Sequence, residues 1–259
     1  MLTSKFVHIN EDAQIGRDVT IGPFVTIDKN VVIGDGCKIG SNVTILEGAR
    51  IGNNVTIFPG AVISAIPQDL KFKGENTTTY VGDNTVIREC VTINRGTASK
   101  GTTKVGKGCL IMAYCHVAHD CVVHDHVIMS NAVQLAGEVE VDDYAIIGGG
   151  TLVHQFCHLG SHIMIQGGAL INKDVPPFVK GAREPLCYTG VNSIGLRRRG
   201  FESDKIREIQ DIYRYLYLSG MNVSDAVRTI RAKVPQTPER DMILDFVETS
   251  QRGIIKGYA

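Results

Sequence analysis

Large aliphatic side chains recur at every sixth position over most of the chain. Isoleucine fills nine successive positions of this series: Ile15, Ile21, Ile27, Ile33, Ile39, Ile45, Ile51, Ile57 and Ile63. The same phase returns at Val81 and runs, after a second break, from Val105 to Ile171. A period of six fits neither an α-helix nor an alternating strand, and it is the period of the hexapeptide parallel β-helix.

Each hexad therefore predicts one short strand followed by a corner. Three hexads make one triangular coil of about 18 residues, and coils stack at the inter-strand spacing of roughly 4.8 Å. The large aliphatic residue points inward, and a smaller residue two positions earlier, such as Val19 or Cys37, fills the space beside it. We predict a mainly β fold, a single-stranded parallel β-helix of hexapeptide repeats.

The periodicity also predicts where the β-helix is interrupted and where it ends. Two polar, glycine-containing segments, 65–80 and 94–104, break the period and are predicted to be loops that project from the coils. The repeat stops near the Pro176–Pro177 pair, and beyond it apolar residues take helical spacing. Helices are predicted to start near Ser203, Ser224 and Thr237. This gives a β-helix domain, 1–190, and a small all-α domain, 191–259.

Composition narrows the class of protein without changing this fold. Lys plus Arg and Asp plus Glu are both 27, so overall charge predicts no nucleic-acid partner. No segment approaches the roughly 18 apolar residues of a membrane span, and the first residues do not have the pattern of a secretory signal. We expect a cytoplasmic protein with reduced thiols. Cys109, Cys115 and Cys121 occupy the small inward position, so no metal site is predicted from them.

The 18-residue coil turns the sequence into a map of vertical neighbours. Gly137 lies one coil above His119, and Gln155 lies one coil above Gly137. His119 should face outward near a corner, where its imidazole can act as a base. A glycine in the next coil leaves a backbone N–H uncovered, which is what the oxyanion of an acyl transfer requires. His119 and Gly137 are therefore predicted catalytic residues.

Other histidines have plainer or competing interpretations. His124, His126, His158 and His162 are expected to be solvent-facing residues of the scaffold. His116 and His119 could instead bind zinc together with histidines of neighbouring chains, as in hexapeptide carbonic anhydrases. That hypothesis would make the protein a zinc hydratase.

Several motifs in a fixed order resemble one family. They are PQDLKF, CHVAHDC, LAGEVEVDDYAIIGG, VHQFC, DVPPFV and GVNSIGLRRRGF. Together they cover essentially the whole chain, and they resemble the acyl-carrier-protein-dependent UDP-N-acetylglucosamine O-acyltransferases that open lipid A synthesis, the first stage of lipopolysaccharide assembly. The resemblance implies that the β-helix is left-handed and that the protein is a homotrimer with an active site in each cleft between subunits.

The resemblance also implies a reaction. An (R)-3-hydroxyacyl chain passes from the phosphopantetheine thioester of acyl carrier protein to the 3-hydroxyl of UDP-N-acetylglucosamine. No tightly bound cofactor and no covalent acyl-enzyme are expected. His119 matches the general base and Gly137 the donor to the oxyanion, while Asp120 is a candidate to orient the His119 ring, although adjacent strand residues face opposite ways.

Further residues match substrate contacts of the family. The matched positions are Gln68, Asp69 and Lys71 for the sugar, His116, His154 and Gln155 for the sugar and thioester, and Asn192, Arg198 and Arg199 for the nucleotide and carrier. Glu138 and Ile194 depart from the family pattern, so a 3-amino sugar remains an alternative acceptor. The related N-acyltransferases usually carry a separate N-terminal nucleotide-binding domain, whereas here the hexads begin by about Ile9 or Ile15.

Overall fold

A computed structural model of the chain describes residues 2–257. Residues 1 and 258–259, which belong to the predicted ranges 1–190 and 191–259, lie outside the described residues. Short strands form three sheets that make the walls of a triangular prism, here called sheets A, B and C. The chain passes from A to B to C in each coil, so the prism has an A–B, a B–C and a C–A corner.

The strands of each sheet are given in their order along the prism. Sheet A contains β1 (Leu2–Thr3), β4 (Thr20–Ile21), β7 (Lys38–Ile39), β10 (Thr56–Ile57), β13 (Val86–Ile87), β16 (Leu110–Ile111), β19 (Ile128–Met129), β22 (Ile146–Ile147), β25 (Met164–Ile165), β27 (Val179–Ala182), β28 (Cys187–Val191) and β29 (Lys256–Gly257). Sheet B contains β2 (Val7–Ile9), β5 (Val25–Ile27), β8 (Thr44–Ile45), β11 (Val62–Ala65), β14 (Thr92–Asn94), β17 (His116–Val117), β20 (Gln134–Leu135), β23 (Leu152–Val153) and β26 (Leu170–Ile171). Sheet C contains β3 (Gln14–Ile15), β6 (Val32–Ile33), β9 (Ala49–Ile51), β12 (Thr78–Val81), β15 (Thr102–Val105), β18 (Val122–Val123), β21 (Glu140–Val141) and β24 (His158–Leu159).

The six-residue pattern produces the core of the prism. Strands one coil apart are parallel and pair residues 18 positions apart, as Ile27 does with Ile45. The second residue of most strands, the large aliphatic of the hexad, points inward and is buried, and the small residue two positions earlier is buried beside it. The core is therefore a stacked column of aliphatic side chains along the prism axis.

Corners of the prism place one residue in six in the left-handed backbone region. Asp120, His126, Ala132, Glu138 and Tyr144 are successive examples, with φ between 58° and 61°. Most corners use residues other than glycine, although a positive φ costs them steric strain. The side chain of a corner residue therefore does not follow the alternation of an extended strand.

Two insertions emerge from the same corner. Val81 pairs with Ile51 and Val105 pairs with Val81, spacings of 30 and 24 residues where other coils take 18. The additional residues lie in segments 66–77 and 95–101, each between a strand of sheet B and a strand of sheet C. These loops are shorter than the predicted 65–80 and 94–104, because the ends of those ranges continue the flanking strands.

The repeat does not end at the proline pair. Strand β27 follows the prolines and pairs in parallel with β25, and β28 then turns back antiparallel to β27. Four helices come next: α1 (Ser193–Arg198), α2 (Ser203–Leu218), α3 (Val223–Lys233) and α4 (Pro238–Thr249). No helix within residues 2–257 is long and apolar enough to cross a membrane.

Helix starts agree with the sequence only in part. Thr237 caps α4 as predicted, accepting a hydrogen bond from the Arg240 N–H, with Pro238 in the first turn. The cap of α3 is Asn222 rather than Ser224, and α2 begins after Glu202 without a side-chain cap. Helix α1 was not predicted, because it is only six residues long and buries only Leu196, so it has no helical pattern of apolar residues.

A column of aromatic rings covers the C–A corner. The rings of His126, Tyr144, His162 and Phe178 stack at centroid separations of 4.8, 5.0 and 5.6 Å. The Nδ1 atom of His162 is buried and makes no hydrogen bond within the described part of the chain. Burial and the nearby charge of Arg199 lower the pKa of His162 from 6.5 to about 4. His162 is thus a neutral ring in the column, where a surface residue had been predicted.

This burial predicts a measurable pH dependence. Between pH 6.5 and 4 the unfolded chain binds a proton at His162 that the folded chain does not, so the free energy of unfolding should fall as pH falls. Replacement of His162 by phenylalanine should flatten this fall, because a phenyl ring can stack in the column as Phe178 does but cannot bind a proton. Urea unfolding at pH 7 and pH 5 measures the difference. Parallel pH dependences in the two proteins would contradict it.

Candidate active site

The His119 ring is held by its neighbour in sequence. His119 Nδ1 lies 2.9 Å from Asp120 Oδ2 at the B–C corner. We expected adjacent residues to face opposite ways, but Asp120 has a φ of 59° and is not in a strand. The left-handed corner turns its carboxylate back beside the imidazole, so the chain geometry permits a contact that strand alternation would prevent.

The Asp120 carboxylate is fully buried and accepts hydrogen bonds from the 95–101 loop. The Thr97 N–H donates to it at 2.9 Å, the Thr97 hydroxyl at 2.6 Å and the Lys100 N–H at 3.2 Å. Burial raises the pKa of this carboxyl, but the hydrogen bonds from Thr97, His119 and Lys100 outweigh it and leave the pKa below its ordinary value. The second inserted loop is thereby tied to the histidine.

An ionised carboxylate can only accept hydrogen bonds, so it fixes the His119 tautomer. The proton of the neutral ring must lie on Nδ1, facing Asp120, and Nε2 then carries the free lone pair. The side chain of His119 is 13% exposed, so part of the ring reaches the surface beside Gly137. The arrangement is that of a general base whose orientation is set by a carboxylate.

Gly137 lies directly against the His119 ring. A Cβ atom placed on Gly137 would be 2.6 Å from both His119 Cε1 and His119 Nε2. Within the described residues the Gly137 N–H donates to no protein acceptor, although its carbonyl accepts from the Phe156 N–H. Gln155 lies one coil above, since β20 and β23 pair with an 18-residue offset. The structure thus brings together a free ring nitrogen and an unpaired backbone donor.

His116 lies on the outer face of sheet B, on the same coil as His119. Its Nδ1 is 2.7 Å from the Thr92 hydroxyl. Burial, followed by the nearby charge of His119, lowers the pKa of His116. His154, two coils higher, is exposed and its Nδ1 is 3.0 Å from the Gln155 carbonyl oxygen. Both residues are therefore on the wall and corner that carry His119.

Gln68, Asp69 and Lys71 lie in the 66–77 loop, which leaves the prism at the same corner two coils below His119. Asp69 accepts the Lys71 N–H at 2.9 Å and shapes a turn, while Gln68 and Lys71 are exposed. Asn94 fixes the base of the loop by donating to the Ile66 carbonyl at 2.8 Å. In the described chain these side chains make no hydrogen bond or ion pair with His119.

The remaining predicted site residues lie at a different corner. Arg199 donates to the Tyr144 carbonyl at 2.8 Å at the C–A corner, and Arg198 is exposed beside it. Asn192 is 5% exposed, where it caps α1 and donates to the His162 carbonyl at 2.9 Å. One chain therefore does not bring these three residues together with His119 and Gly137.

The cysteines near the corner are unsuited to act as nucleophiles. Cys115 and Cys121 are buried in the prism, and their Sγ atoms lie close to the Ser130 and Ala136 carbonyl oxygens. Burial raises the pKa of Cys115 to about 11 and that of Cys121 to about 12. Nucleophilic thiolates need the opposite shift.

Thr97 was not predicted from the sequence, and it offers a test of the anchoring network. Replacement by valine keeps the shape but removes the hydroxyl that donates to the Asp120 carboxylate. We expect a loss of about 1.5–3 kcal/mol in the free energy of unfolding, the usual range for a hydrogen bond to a charged group. Urea unfolding at pH 7 measures it, with Thr44→Val on the outer face of sheet B as the matched control. Equal stability of the two variants would contradict the network.

Comparison with protein families gives matches along most of the chain. A family model described as domain 2 of UDP N-acetylglucosamine O-acyltransferase matches residues 174–255, and a model of bacterial transferase hexapeptide repeats matches residues 102–137. A model of the GMPPB C-terminal domain matches residues 3–99. These matches agree with a hexapeptide β-helix that is followed by a distinct C-terminal segment.

Individual relatives are similar over most of the chain. The acyl-[acyl-carrier-protein]–UDP-N-acetylglucosamine O-acyltransferase of Pseudomonas syringae pv. tomato is 45% identical over 189 residues, 73% of each protein. The enzyme of the same name from Thiobacillus denitrificans is 42% identical over 191 residues, covering 73% of this chain and 74% of that protein.

Solved structures are similar over nearly all of the chain. The UDP-N-acetylglucosamine acyltransferase of Bacteroides fragilis is 54% identical with a TM-score of 0.97, covering 98% of this chain and 99% of that one. The Francisella novicida enzyme is 39% identical with a TM-score of 0.96, covering 98% and 94%. The predicted fold class, a left-handed parallel β-helix with C-terminal helices, is confirmed.

Proposed function

The chain belongs to the acyl-[acyl-carrier-protein]–UDP-N-acetylglucosamine O-acyltransferase family, and from this membership we propose how its geometry performs the transfer. The chain is an acyltransferase that moves an acyl group from acyl carrier protein to UDP-N-acetylglucosamine. The finer assignment is an (R)-3-hydroxyacyl group delivered to the 3-hydroxyl of the sugar, in the cytoplasm and without a tightly bound cofactor. The observation that carries the mechanism is the contact between His119 and Gly137.

His119 acts as the general base. The sugar hydroxyl donates its proton to the free Nε2 as the oxygen attacks the thioester carbon, and Asp120 steadies the imidazolium that forms. The Gly137 N–H donates to the oxyanion of the tetrahedral intermediate. When the intermediate collapses, the carbon–sulfur bond breaks and the imidazolium returns the proton to the departing phosphopantetheine sulfur. No acyl-enzyme forms, in agreement with the buried cysteines.

The substrate contacts require a second chain. The predicted substrate-binding residues form two sets at different corners. The first set shares the wall and corner of His119 and consists of Asp69, Gln68, Lys71, His116, His154 and Gln155. The second set lies at the C–A corner and consists of Asn192, Arg198 and Arg199. A homotrimer whose clefts join the B–C corner of one subunit to the C–A corner of the next would unite the two sets. The Arg198 side chain, exposed there, can pair with the diphosphate or with acidic carrier protein.

The trimer is supported by apolar side chains on the outer wall. Leu152 and Leu170 are 47% and 52% exposed on sheet B, and Phe156 is 51% exposed at the B–C corner. We expect light scattering to give three times the mass of one chain at micromolar concentration. Arginine substitutions at Leu152 and Leu170 should lower that mass to a single chain, and a monomeric wild-type protein would contradict the proposed cleft.

An assay of the purified protein tests the proposed function. UDP-N-acetylglucosamine and a panel of (R)-3-hydroxyacyl carrier proteins should give the 3-O-acylated sugar nucleotide and free carrier thiol. A parallel reaction with the 3-amino analogue of the sugar distinguishes the alternative acceptor, and a chelator-treated sample distinguishes a zinc-dependent hydratase. Transfer only to the amino sugar, or no transfer with any carrier, would contradict the proposal.

A further inference from the structure

Three metal-ligating side chains, those of His124, Glu140 and Asp142, converge on the outer side of sheet C and the corner that follows it, and His158 joins them through Asp142. We propose that His124, Glu140, Asp142 and His158 form a binding site for one divalent transition-metal ion of the zinc type. Both carboxylates project from the same coil, at β21 and directly after it. His124 lies one coil below them and His158 one coil above, since Val122, Glu140 and His158 are register partners on successive strands.

The donor atoms are already close to the separations that such an ion requires. His124 Nε2 is 3.2 Å from Glu140 Oε1, and His158 Nε2 is 2.9 Å from Asp142 Oδ1. The ligand atoms of His124, Glu140 and Asp142 all lie within 4.8 Å of one another. Ligands at about 2.0–2.1 Å around a tetrahedral Zn²⁺ are separated by about 3.3 Å. Three donors therefore already surround one point, and a rotation of the His158 side chain toward His124 and Glu140 would complete the set of four around one ion.

The donor set selects the class of ion. Two imidazole nitrogens and two carboxylate oxygens suit Zn²⁺ or a similar transition metal, whereas Mg²⁺ and Ca²⁺ prefer oxygen ligands throughout. Two carboxylates also balance the double positive charge when both imidazoles are neutral. Asp143, whose charge also acts on His124, adds negative potential at the corner. Four protein ligands leave no open position, so the ion would be structural rather than catalytic.

The surrounding contacts orient His158 without closing the site to solvent. The His158 ring packs against Phe246 of α4 at a centroid separation of 4.5 Å. The His158 N–H donates to Asp174 Oδ1 at 2.8 Å, and Asp174 Oδ2 accepts from the Ser250 hydroxyl at 2.6 Å. Exposed fractions between 23% and 43% leave all four side chains open to an entering ion. The bound ion would join three coils of the prism to the end of the C-terminal helices.

The site is independent of the proposed acyl transfer and was not foreseen from the sequence. His124 and His158 were expected to be solvent-facing, and none of the four residues was predicted to be a metal ligand. The four residues are separated by 16, 2 and 16 positions, a spacing that becomes visible only once the coils are stacked. Neither His119 nor His116, the residues of the earlier zinc hypothesis, belongs to it.

Metal titration of the chelator-treated, full-length protein tests the proposal. Calorimetry with Zn²⁺ should give one ion per chain, and the thermal midpoint should rise with the metal. Co²⁺ should bind at the same stoichiometry and show the intense visible bands of a tetrahedral site. His158→Gln and Glu140→Gln should each weaken binding by more than about tenfold, since even the loss of a residue that only orients a metal ligand costs about 10–100-fold. His8→Gln, an exposed histidine on β2, serves as the control and should bind as the wild type does.

Three results would overturn the proposal. The wild type binding no Zn²⁺ at micromolar concentration would leave the cluster as two ion pairs. Binding that is unchanged in both His158→Gln and Glu140→Gln would place the ion elsewhere on the chain. Binding that His119→Ala abolishes, while His158→Gln retains it, would assign the ion to the earlier zinc hypothesis. Circular dichroism of each variant establishes that it is folded before the titration.

Discussion

Replacement of His119 by alanine is expected to lower kcat at least about a hundredfold, the usual scale for loss of a general base. The expectation rests on the ring Nε2, which the contact between Nδ1 and Asp120 leaves free and which lies beside Gly137. Binding of UDP-N-acetylglucosamine should change far less, because the substitution removes a group that acts mainly in the transition state. Steady-state kinetics with a hydroxyacyl carrier protein, alongside calorimetric binding of the sugar nucleotide, measures both quantities.

The matched control is His8→Ala, which alters an exposed histidine on β2, on the same wall as His116 but several coils away. It should retain wild-type turnover. If His119→Ala also kept near-full turnover, the base would have to be another residue. A fall in the free energy of unfolding well beyond that of Thr97→Val, alongside the loss of turnover, would instead indicate a structural role for the ring.

Replacement of Gly137 by alanine should have an effect of comparable size through a different route. The added Cβ would lie 2.6 Å from His119 Cε1 and Nε2, closer than side-chain atoms approach one another. The backbone N–H survives the substitution, so the loss reports the displaced imidazole and the narrowed space beside the donor. We expect kcat to fall about a hundredfold or more, the scale for disturbing a base or an oxyanion donor.

A double substitution separates this mechanism from general damage. In the His119→Ala background the ring is absent, so Gly137→Ala should cause little further loss of turnover. Independent, multiplicative losses in the double variant would show that Gly137 acts apart from the histidine. The thermal midpoint of the double variant should match that of His119→Ala, because both lack the hydrogen bond between the ring and Asp120.

The fold could be predicted from the sequence because each six-residue repeat places one aliphatic side chain in the core. Each sixth residue enters the same column, so Ile27 or Ile45 can be assigned to the core without knowledge of any distant contact. Local features that depend on a single turn were less accessible. Helix α1 and the Asn222 cap carry no periodic signal, and the strand after Pro177 contradicts the usual effect of proline on a ladder.

The candidate site was accessible where it depends on the 18-residue stack. His119 and Gly137 are one coil apart in sequence and in contact in space. Contacts that depend on a corner or a loop were not. The contact between Asp120 and His119 requires a left-handed φ at Asp120, which cannot be predicted from the residue type. Thr97 contacts Asp120 from an inserted loop, whose conformation the repeat does not determine. The separation of Asn192 and Arg199 from His119 follows from the corner that each occupies, which the motifs alone do not reveal.

The candidate site residues follow one another along the B–C corner at intervals of one coil. Five successive coils carry, in order, the base of the 66–77 loop, the base of the 95–101 loop, His119, Gly137 and Gln155. From the first to the last, these coils span about 19 Å at the strand spacing. A ligand that touches both the first loop and Gln155 must match that span. Deleting or duplicating one coil between them would move one of these two contacts by the height of a coil, about 4.8 Å, relative to the imidazole. Reach along this edge is therefore encoded as an integer number of coils.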